Sequence, residues 1–336
     1  MANSDLVTLL NIYDRKRFDA INDLEFRKQE LFSKNPRLEE IEKELNSISI
    51  KTVKSLLIKD ISTKEELLND LNKKIDSLSQ ERNLILKSLK VDESFLEPNY
   101  ECKICKDTGY VSTNNASNMC TCLKQSLLNL AYNKSNLNNL NTENFSTFEL
   151  TKYSDKSNVE KYGIDVSPRE NMNNILKEAK DFVSNFDSPK TNNLLFTGTS
   201  GLGKTFLSNC IANELIRLNK TVLYQTAPNM LDAVVDYRFG RTNGDFYNNL
   251  LTVDLLIIDD LGSESINSIK LTELFNIINS RLLSKNTKTI VSTNIFIKQL
   301  ANIYTQRIIS RFMGNYNICV FFGDDIRLQN GSLFFK

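Results

Sequence analysis

The sequence predicts a chain in three parts: an α-helical N-terminal region, a small metal-binding module, and an α/β domain with a parallel sheet flanked by helices. Residues 5–95 are charged, aliphatic and nearly free of helix breakers, with apolar residues three and four apart. Four cysteines crowd into residues 102–122, and from residue 167 short β-branched runs alternate with helical stretches. At 336 residues the chain has room for two ordinary domains. With 40% hydrophobic and 25% charged residues it is not a wholly disordered polymer.

In the first part, Leu38, Ile41, Leu45 and Ile48 mark one amphipathic helix and Leu71, Leu78 and Ile85 another. Asn35 before Pro36 reads as an N-cap with proline in the first turn, and Ser62 with Glu65 has capping-box spacing. Three helices are expected. The rows Leu71/Leu78/Ile85 and Ile75/Arg82/Leu89 repeat every seven residues for under three heptads with an arginine on the seam, which favours a hairpin or bundle over a long coiled coil. Pro98 closes this region, assigned to 1–97.

The cysteine module follows at 98–132 and ends in a short helix. Residues 133–166, rich in Asn, Ser, Thr and Lys without periodicity, read as a linker in which Phe145 and Phe148 are candidates for packing on a neighbour. Ser167, Pro168 and Glu170 open the α/β domain, 167–336, with a capping box. Its strands are expected at Leu194–Thr197, Thr221–Thr226, Leu255–Asp259, Thr289–Thr293 and Ile318–Phe322, with a helix at Phe206–Leu218.

The chain has no histidine, which excludes Ser-His-Asp and Cys-His catalysis and any metal site that needs an imidazole. Only 11 glycines occur, and three fall between 198 and 203. Gly198-Thr199-Ser200-Gly201-Leu202-Gly203-Lys204-Thr205 fits GxxxxGK[ST] between an expected strand and helix, with Phe206 next. The glycines let the backbone N–H groups face a polyphosphate, Lys204 neutralises the β and γ phosphates, and Thr205 ligates Mg2+. These residues make ATP and Mg2+ the expected cofactors. Leu255-Leu256-Ile257-Ile258 runs into Asp259 and Asp260, placing one carboxylate on the metal's water shell and a second beside the attacking water. Paired aspartates at a strand end also serve as plain turn formers. Asn294 follows the strand ending at Thr293, where ligands gather in open α/β sheets; alone, it would be an ordinary turn residue.

Cys102 and Cys105 form CxxC, and Cys120 with Cys122 forms CxC fourteen residues later. Four thiolates without histidine suit a closed structural Zn2+ site. A redox pair, an iron–sulfur cluster and disulfides are the competing readings; the absence of a βαβ context and an expected cytoplasmic location count against the first and last. Cys210 and Cys319 fall in expected core elements.

The motifs GTSGLGKT at 198–205, LLIIDDLG at 255–262, TIVSTN at 289–294, RIISRFMG at 307–314 and Asp325-Ile326-Arg327 resemble AAA+ ATPases, and more narrowly the replicative helicase loaders of the DnaC/DnaI type. The resemblance implies an AAA+ P-loop fold. Twenty-five residues follow Arg311, too few for a helical lid, which points to the lidless branch that also holds IstB-type transposition ATPases. The family pattern assigns Asn294 as sensor 1, Arg311 as an arginine finger for a neighbouring subunit and Arg327 as the sensor 2 arginine, with Arg307 a lesser interface candidate. The second acid, Asp260, stands where AAA+ proteins more generally carry Glu, which suggests slow, switch-like use of ATP.

The implied function is ATP-dependent loading of a DnaB-type replicative helicase onto single-stranded DNA, with the N-terminal helices gripping the helicase and the AAA+ domains self-associating. Residues 228–249, with Tyr237, Arg238, Phe239, Arg241, Phe246 and Tyr247, interleave aromatics and arginines as a DNA-binding surface does, and also as a core helix and surface loop do. Net charge is +1 and none of the segments 1–100, 101–190 and 191–336 is strongly basic, so charge alone marks no nucleic-acid footprint. The alternatives are an IstB-like DNA-remodelling ATPase and a nucleotide-gated adaptor with negligible hydrolysis. No signal-like or membrane-spanning stretch is apparent, so a cytoplasmic protein without membrane attachment is expected.

Overall fold

The helical spacings produce three helices, α1 (Ala2–Lys34), α2 (Pro36–Ser55) and α3 (Ile61–Ser88). The computed structural model describes residues 2–55, 61–113, 116–133, 142–284 and 286–328, and the chain divides into two compact units, 1–120 and 121–336. The side chains of the Ser62/Glu65 capping box lie outside the described residues.

In the first unit α2 and α3 run antiparallel: Arg37 reaches Glu81 at 2.8 Å, while Glu44, two turns further along α2, reaches Lys74 at 3.5 Å. The expected stripe closes this hairpin, with Ile41, Ile48 and Leu78 buried together and Leu45, Leu71, Ile75 and Ile85 around them. Arg82, the misfit on the seam, is answered by Glu42 at 2.8 Å. A second cluster of Leu31, Leu38, Leu86 and Leu96 ties in the end of α1 and the 3-10 turn Glu93–Leu96. Beyond Pro98 a small antiparallel ribbon, β1 (Tyr110–Thr113) and β2 (Ala116–Met119), joins the two cysteine pairs.

The second unit begins with α4 (Thr121–Leu128) and a single π-helical turn to Asn133. The side-chain amide of Gln125 copies a neighbouring strand: it accepts from the Val222 N–H at 2.6 Å and donates to the Val222 carbonyl at 3.0 Å, closing the sheet edge. The stretch expected as a linker is, in its described part, attached to the core. It holds the short α5 (Val159–Tyr162), and Phe145, Phe148 and Leu150 pack on the core cluster that buries Tyr153. Apolar anchors four residues or fewer apart, amid polar residues, leave no periodic trace, which is why the segment reads as linker.

α6 (Pro168–Ser184) starts as its capping residues require, with Ser167 Oγ accepting from the Glu170 N–H. The sheet holds β3 (Asn193–Thr197), β4 (Val222–Thr226), β5 (Leu255–Leu261), β6 (Lys288–Thr293) and β7 (Tyr316–Val320), all parallel in the order β4-β5-β6-β3-β7. β7 lies two residues earlier than the apolar run Ile318–Phe322 indicated, because strand pairing with β3 begins at Tyr316. Strand residues alternate between two cores. Leu194, Phe196, Tyr224 and Ile257 face α6 and α7 (Lys204–Arg217). Leu195, Leu223, Leu256, Ile258 and Val291 face α8 (Ala227–Arg238), α9 (Asp245–Thr252), α10 (Ser268–Leu283), α11 (Ile297–Ile303) and α12 (Gln306–Asn315). Burial on both faces explains the near-continuous apolar strands. Among the described residues no helix is long and apolar enough to cross a membrane.

Candidate active site and candidate metal centre

β3 is buried along its length and delivers the loop after Thr197 at the carboxyl edge of the sheet. Gly198, Gly201 and Gly203 take φ of +140°, +78° and +89°. At 198 glycine is a steric necessity, since a Cβ would meet the Phe321 carbonyl oxygen at 2.1 Å. α7 then begins at Lys204 with no side-chain cap, leaving its first N–H groups to the loop. Thr199 and Ser200 are exposed at the loop tip, as is Thr205 on the first turn. Leu202 is buried and its carbonyl accepts from Tyr153 Oη at 3.1 Å; Phe206 packs edge-on against Phe148.

Lys204 is buried, and its three ammonium donors are matched by the carbonyls of Gly198 (2.7 Å) and Thr199 (2.8 Å) and by Asn294 Oδ1 (2.8 Å). Burial pulls its pKa down to about 8, against the opposing charges of Asp259 and Asp260. Asn294 spans the site, because its amide also donates to Asp260 Oδ1 at 3.1 Å. Asp260 has φ of +55°, in the left-handed region that aspartate enters more readily than most residues, as β5 ends. Burial first, and then the Asp259 charge, push the Asp260 carboxyl above its ordinary range.

Asp259 is buried and accepts four hydrogen bonds. Its Oδ2 accepts from Tyr224 Oη at 2.5 Å and Thr205 Oγ1 at 3.1 Å, and its Oδ1 from Ser292 Oγ and the Asp260 N–H. Arg327 lies across the loop tip, donating to Ser200 Oγ at 3.0 Å and pairing with Asp325 at 2.8 Å, while the Ile326 N–H donates to the Gly201 carbonyl. The fold therefore gathers Lys204, Thr205, Asp259, Asp260, Asn294 and Arg327 around one loop. Arg311 is held elsewhere, by Asn279 of α10 at 3.0 Å, and Arg307 is exposed on the same helix.

Sequence reasoning missed Tyr153, Tyr224 and Ser292. A phenol directly after the apolar pair Val222-Leu223 was the available signal for Tyr224; Tyr153 has none in its polar surroundings. In the 228–249 segment, Tyr237 and Tyr247 stack at 5.2 Å with the Arg238 guanidinium 5.1 Å from the Tyr247 ring. Arg238 is paired with Glu273 at 2.8 Å and Arg241 with Asp236 at 2.8 Å, so this surface offers aromatic faces with much of its charge already answered.

The sulfurs of Cys102, Cys105, Cys120 and Cys122 all lie within 4.8 Å of one another, and none is in a disulfide. Cys102 Sγ and Cys120 Sγ are 3.9 Å apart. A tetrahedron with zinc–sulfur bonds of about 2.3 Å has edges of about 3.8 Å, so the donor set fits Zn2+. Lys106 and Asp107, at φ of +51° and +54°, turn the chain after the first pair. The buried Asp107 fixes that turn by accepting from the N–H groups of Glu101 and Cys102, and the Gly109 N–H points at Cys105 Sγ at 3.3 Å.

Residues 160–318 match the family of bacterial DnaA ATPase domains. Over 161 residues the chain is 29% identical to the replicative helicase loader DnaC of Escherichia coli K12, a stretch that is 47% of this chain and 65% of that protein. The C-terminal unit is thus similar to the ATPase domains of bacterial replication initiators and helicase loaders. The chain is also 33% identical over 143 residues to the chromosomal replication initiator DnaA of Oenococcus oeni, covering 42% of this chain and 31% of that protein. Among solved structures, a DnaC helicase loader is similar at 20% identity and a TM-score of 0.45, over 55% of this chain and 99% of that one. AMPPCP-bound DnaA from Aquifex aeolicus is similar at 24% identity and 0.42, over 50% and 54%.

Proposed function

We propose that the protein is an ATP-dependent loader that delivers a DnaB-type replicative helicase to single-stranded DNA, with its AAA+ domain acting as a slow switch. The observation that carries the reading is the joint arrangement of Lys204, Thr205, Asp259, Asp260 and Asn294 around the Gly198–Thr205 loop, on a domain similar to DnaC. The loop N–H groups and Lys204 hold the triphosphate, and Thr205 with Asp259 hold Mg2+. Bound magnesium supplies charge neutralisation between the phosphates. Asp260, with its carboxyl pushed up, accepts from the attacking water, and Asn294 sets the angle of Asp260 while sensing Lys204. Arg327 approaches the phosphates from the loop tip and must part from Asp325 to do so.

Arg311 has no place in its own chain's site, which supports its acting on a neighbouring copy. A finger in trans is worth about a thousandfold in rate, so turnover depends on self-association. The four cysteines hold a structural zinc, and residues 1–97 make the helicase contact. Similarity to a loader favours this reading over an IstB-like ATPase. The test mixes the full chain with the host replicative helicase, with and without ATP, and scores helicase transferred to circular single-stranded DNA. Transfer is expected with ATP and is lost in Lys204→Ala. An ATP-independent complex with transfer unaffected by Lys204→Ala refutes the switch and favours a plain adaptor.

A further inference from the structure

Asp259 owes its position to more than its own strand. Tyr224 stands on β4 in register with Ile257, two residues before Asp259 on β5, so its ring points to the same face of the sheet and its hydroxyl arrives beside the carboxylate. The ring packs with Leu194, Phe196 and Ile257 and is 2% exposed. A phenylalanine would satisfy that packing equally well. The oxygen is what the core does not need, and it touches both proposed magnesium-holding side chains, the Asp259 carboxylate at 2.5 Å and the Thr205 hydroxyl. On the opposite carboxylate oxygen, Ser292 of β6 is wholly buried and donates in the same way. β4 is itself fixed from outside: Gln125 clamps both backbone groups of Val222, and the Gln225 amide donates to the Tyr132 carbonyl at 2.8 Å.

We propose that Tyr224 is a positioning residue that sets the magnesium affinity of the nucleotide site, by fixing the Asp259 carboxylate and the Thr205 hydroxyl relative to each other, with Ser292 holding the other carboxylate oxygen. This rests on the reading of Asp259 and Thr205 as the magnesium-holding pair. A carboxylate gripped by hydroxyl donors on two neighbouring strands cannot rotate, and losing such an outer contact to a metal-binding residue typically weakens the metal about tenfold or more.

The experiment titrates magnesium into the full-length protein with a fluorescent ATP analogue and reads the half-saturating magnesium concentration, alongside analogue affinity in EDTA and the thermal midpoint. For Tyr224→Phe, half-saturation is expected to rise about tenfold with the EDTA affinity unchanged. Ser292→Ala is expected to shift the same way, and it keeps the test open should Tyr224→Phe fail to fold. A folded Tyr224→Phe protein with wild-type magnesium dependence overturns the proposal, as does a lowered thermal midpoint without any magnesium shift, the mark of a purely structural role. Should the wild-type protein bind nucleotide with no response to magnesium, the assignment of Asp259 and Thr205 fails first and takes this proposal with it.

Discussion

On the proposed reading Lys204 carries a charge when it holds a phosphate, yet the structure buries it, and burial pulls its pKa down to about 8 in the nucleotide-free site. An arriving triphosphate restores the charge, so binding takes up a proton wherever the free lysine is neutral. The consequence is a pH dependence of affinity in a range where the phosphates no longer titrate. With a free-site pKa of about 8, the protonated fraction falls from roughly 0.76 at pH 7.5 to roughly 0.09 at pH 9.0, weakening binding about eightfold, or about 1.2 kcal/mol. A lysine with its ordinary value near 10.4 would lose only about 4% of its protonated fraction over the same interval. The assay is equilibrium titration of a fluorescent ATP analogue at fixed ionic strength and magnesium between pH 7.5 and 9.0. Lys204→Arg, which cannot discharge in this range, is expected to bind with a flat profile. A flat wild-type profile, or an equally steep one in Lys204→Arg, refutes the argument.

Two further outcomes follow from the described contacts. Arg281, 1% exposed, donates to the carbonyls of Leu250, Val253 and Lys288 and to Thr289 Oγ1; Arg281→Met strands those acceptors and should cost about 1–3 kcal/mol in urea denaturation of the C-terminal unit, whereas no loss of stability would show that the acceptors are satisfied without the guanidinium. The purified protein should hold one zinc per chain by elemental analysis. Chelation or Cys120→Ser should abolish amide-exchange protection in β1 and β2 while leaving β3 and β5 protected, since structural zinc contributes on the order of 10 kcal/mol to such a module; visible iron–sulfur absorbance, or full protection without metal, refutes the assignment.

The readable parts of the site are those whose chemistry is contiguous in the chain. The loop from Gly198 to Thr205 and the strand ending in Asp259 and Asp260 are runs in which spacing itself is the mechanism, and the fold places them together as that spacing requires. The alternating apolar runs indicated a parallel sheet for the same reason, because a strand buried on both faces has to be apolar throughout. Arg281 shows the opposite case. On a helix it looks like a solvated cation, and only carbonyls from two separate stretches of chain, the end of α9 and the start of β6, make its burial tolerable.

By itself, then, the order of residues determined the class of fold, the glycine-rich loop, the acidic pair and a four-sulfur cluster, because each depends on neighbours within a few positions. Tertiary structure decided the rest. It brought Tyr224 and Ser292 to the Asp259 carboxylate, turned an apparent linker into an attachment through Tyr153, and laid Arg327 across Ser200 while holding Arg311 away from that loop. Contacts between strands and loops tens of residues apart depend on how the sheet is ordered and on which face each side chain leaves, and no local pattern encodes either.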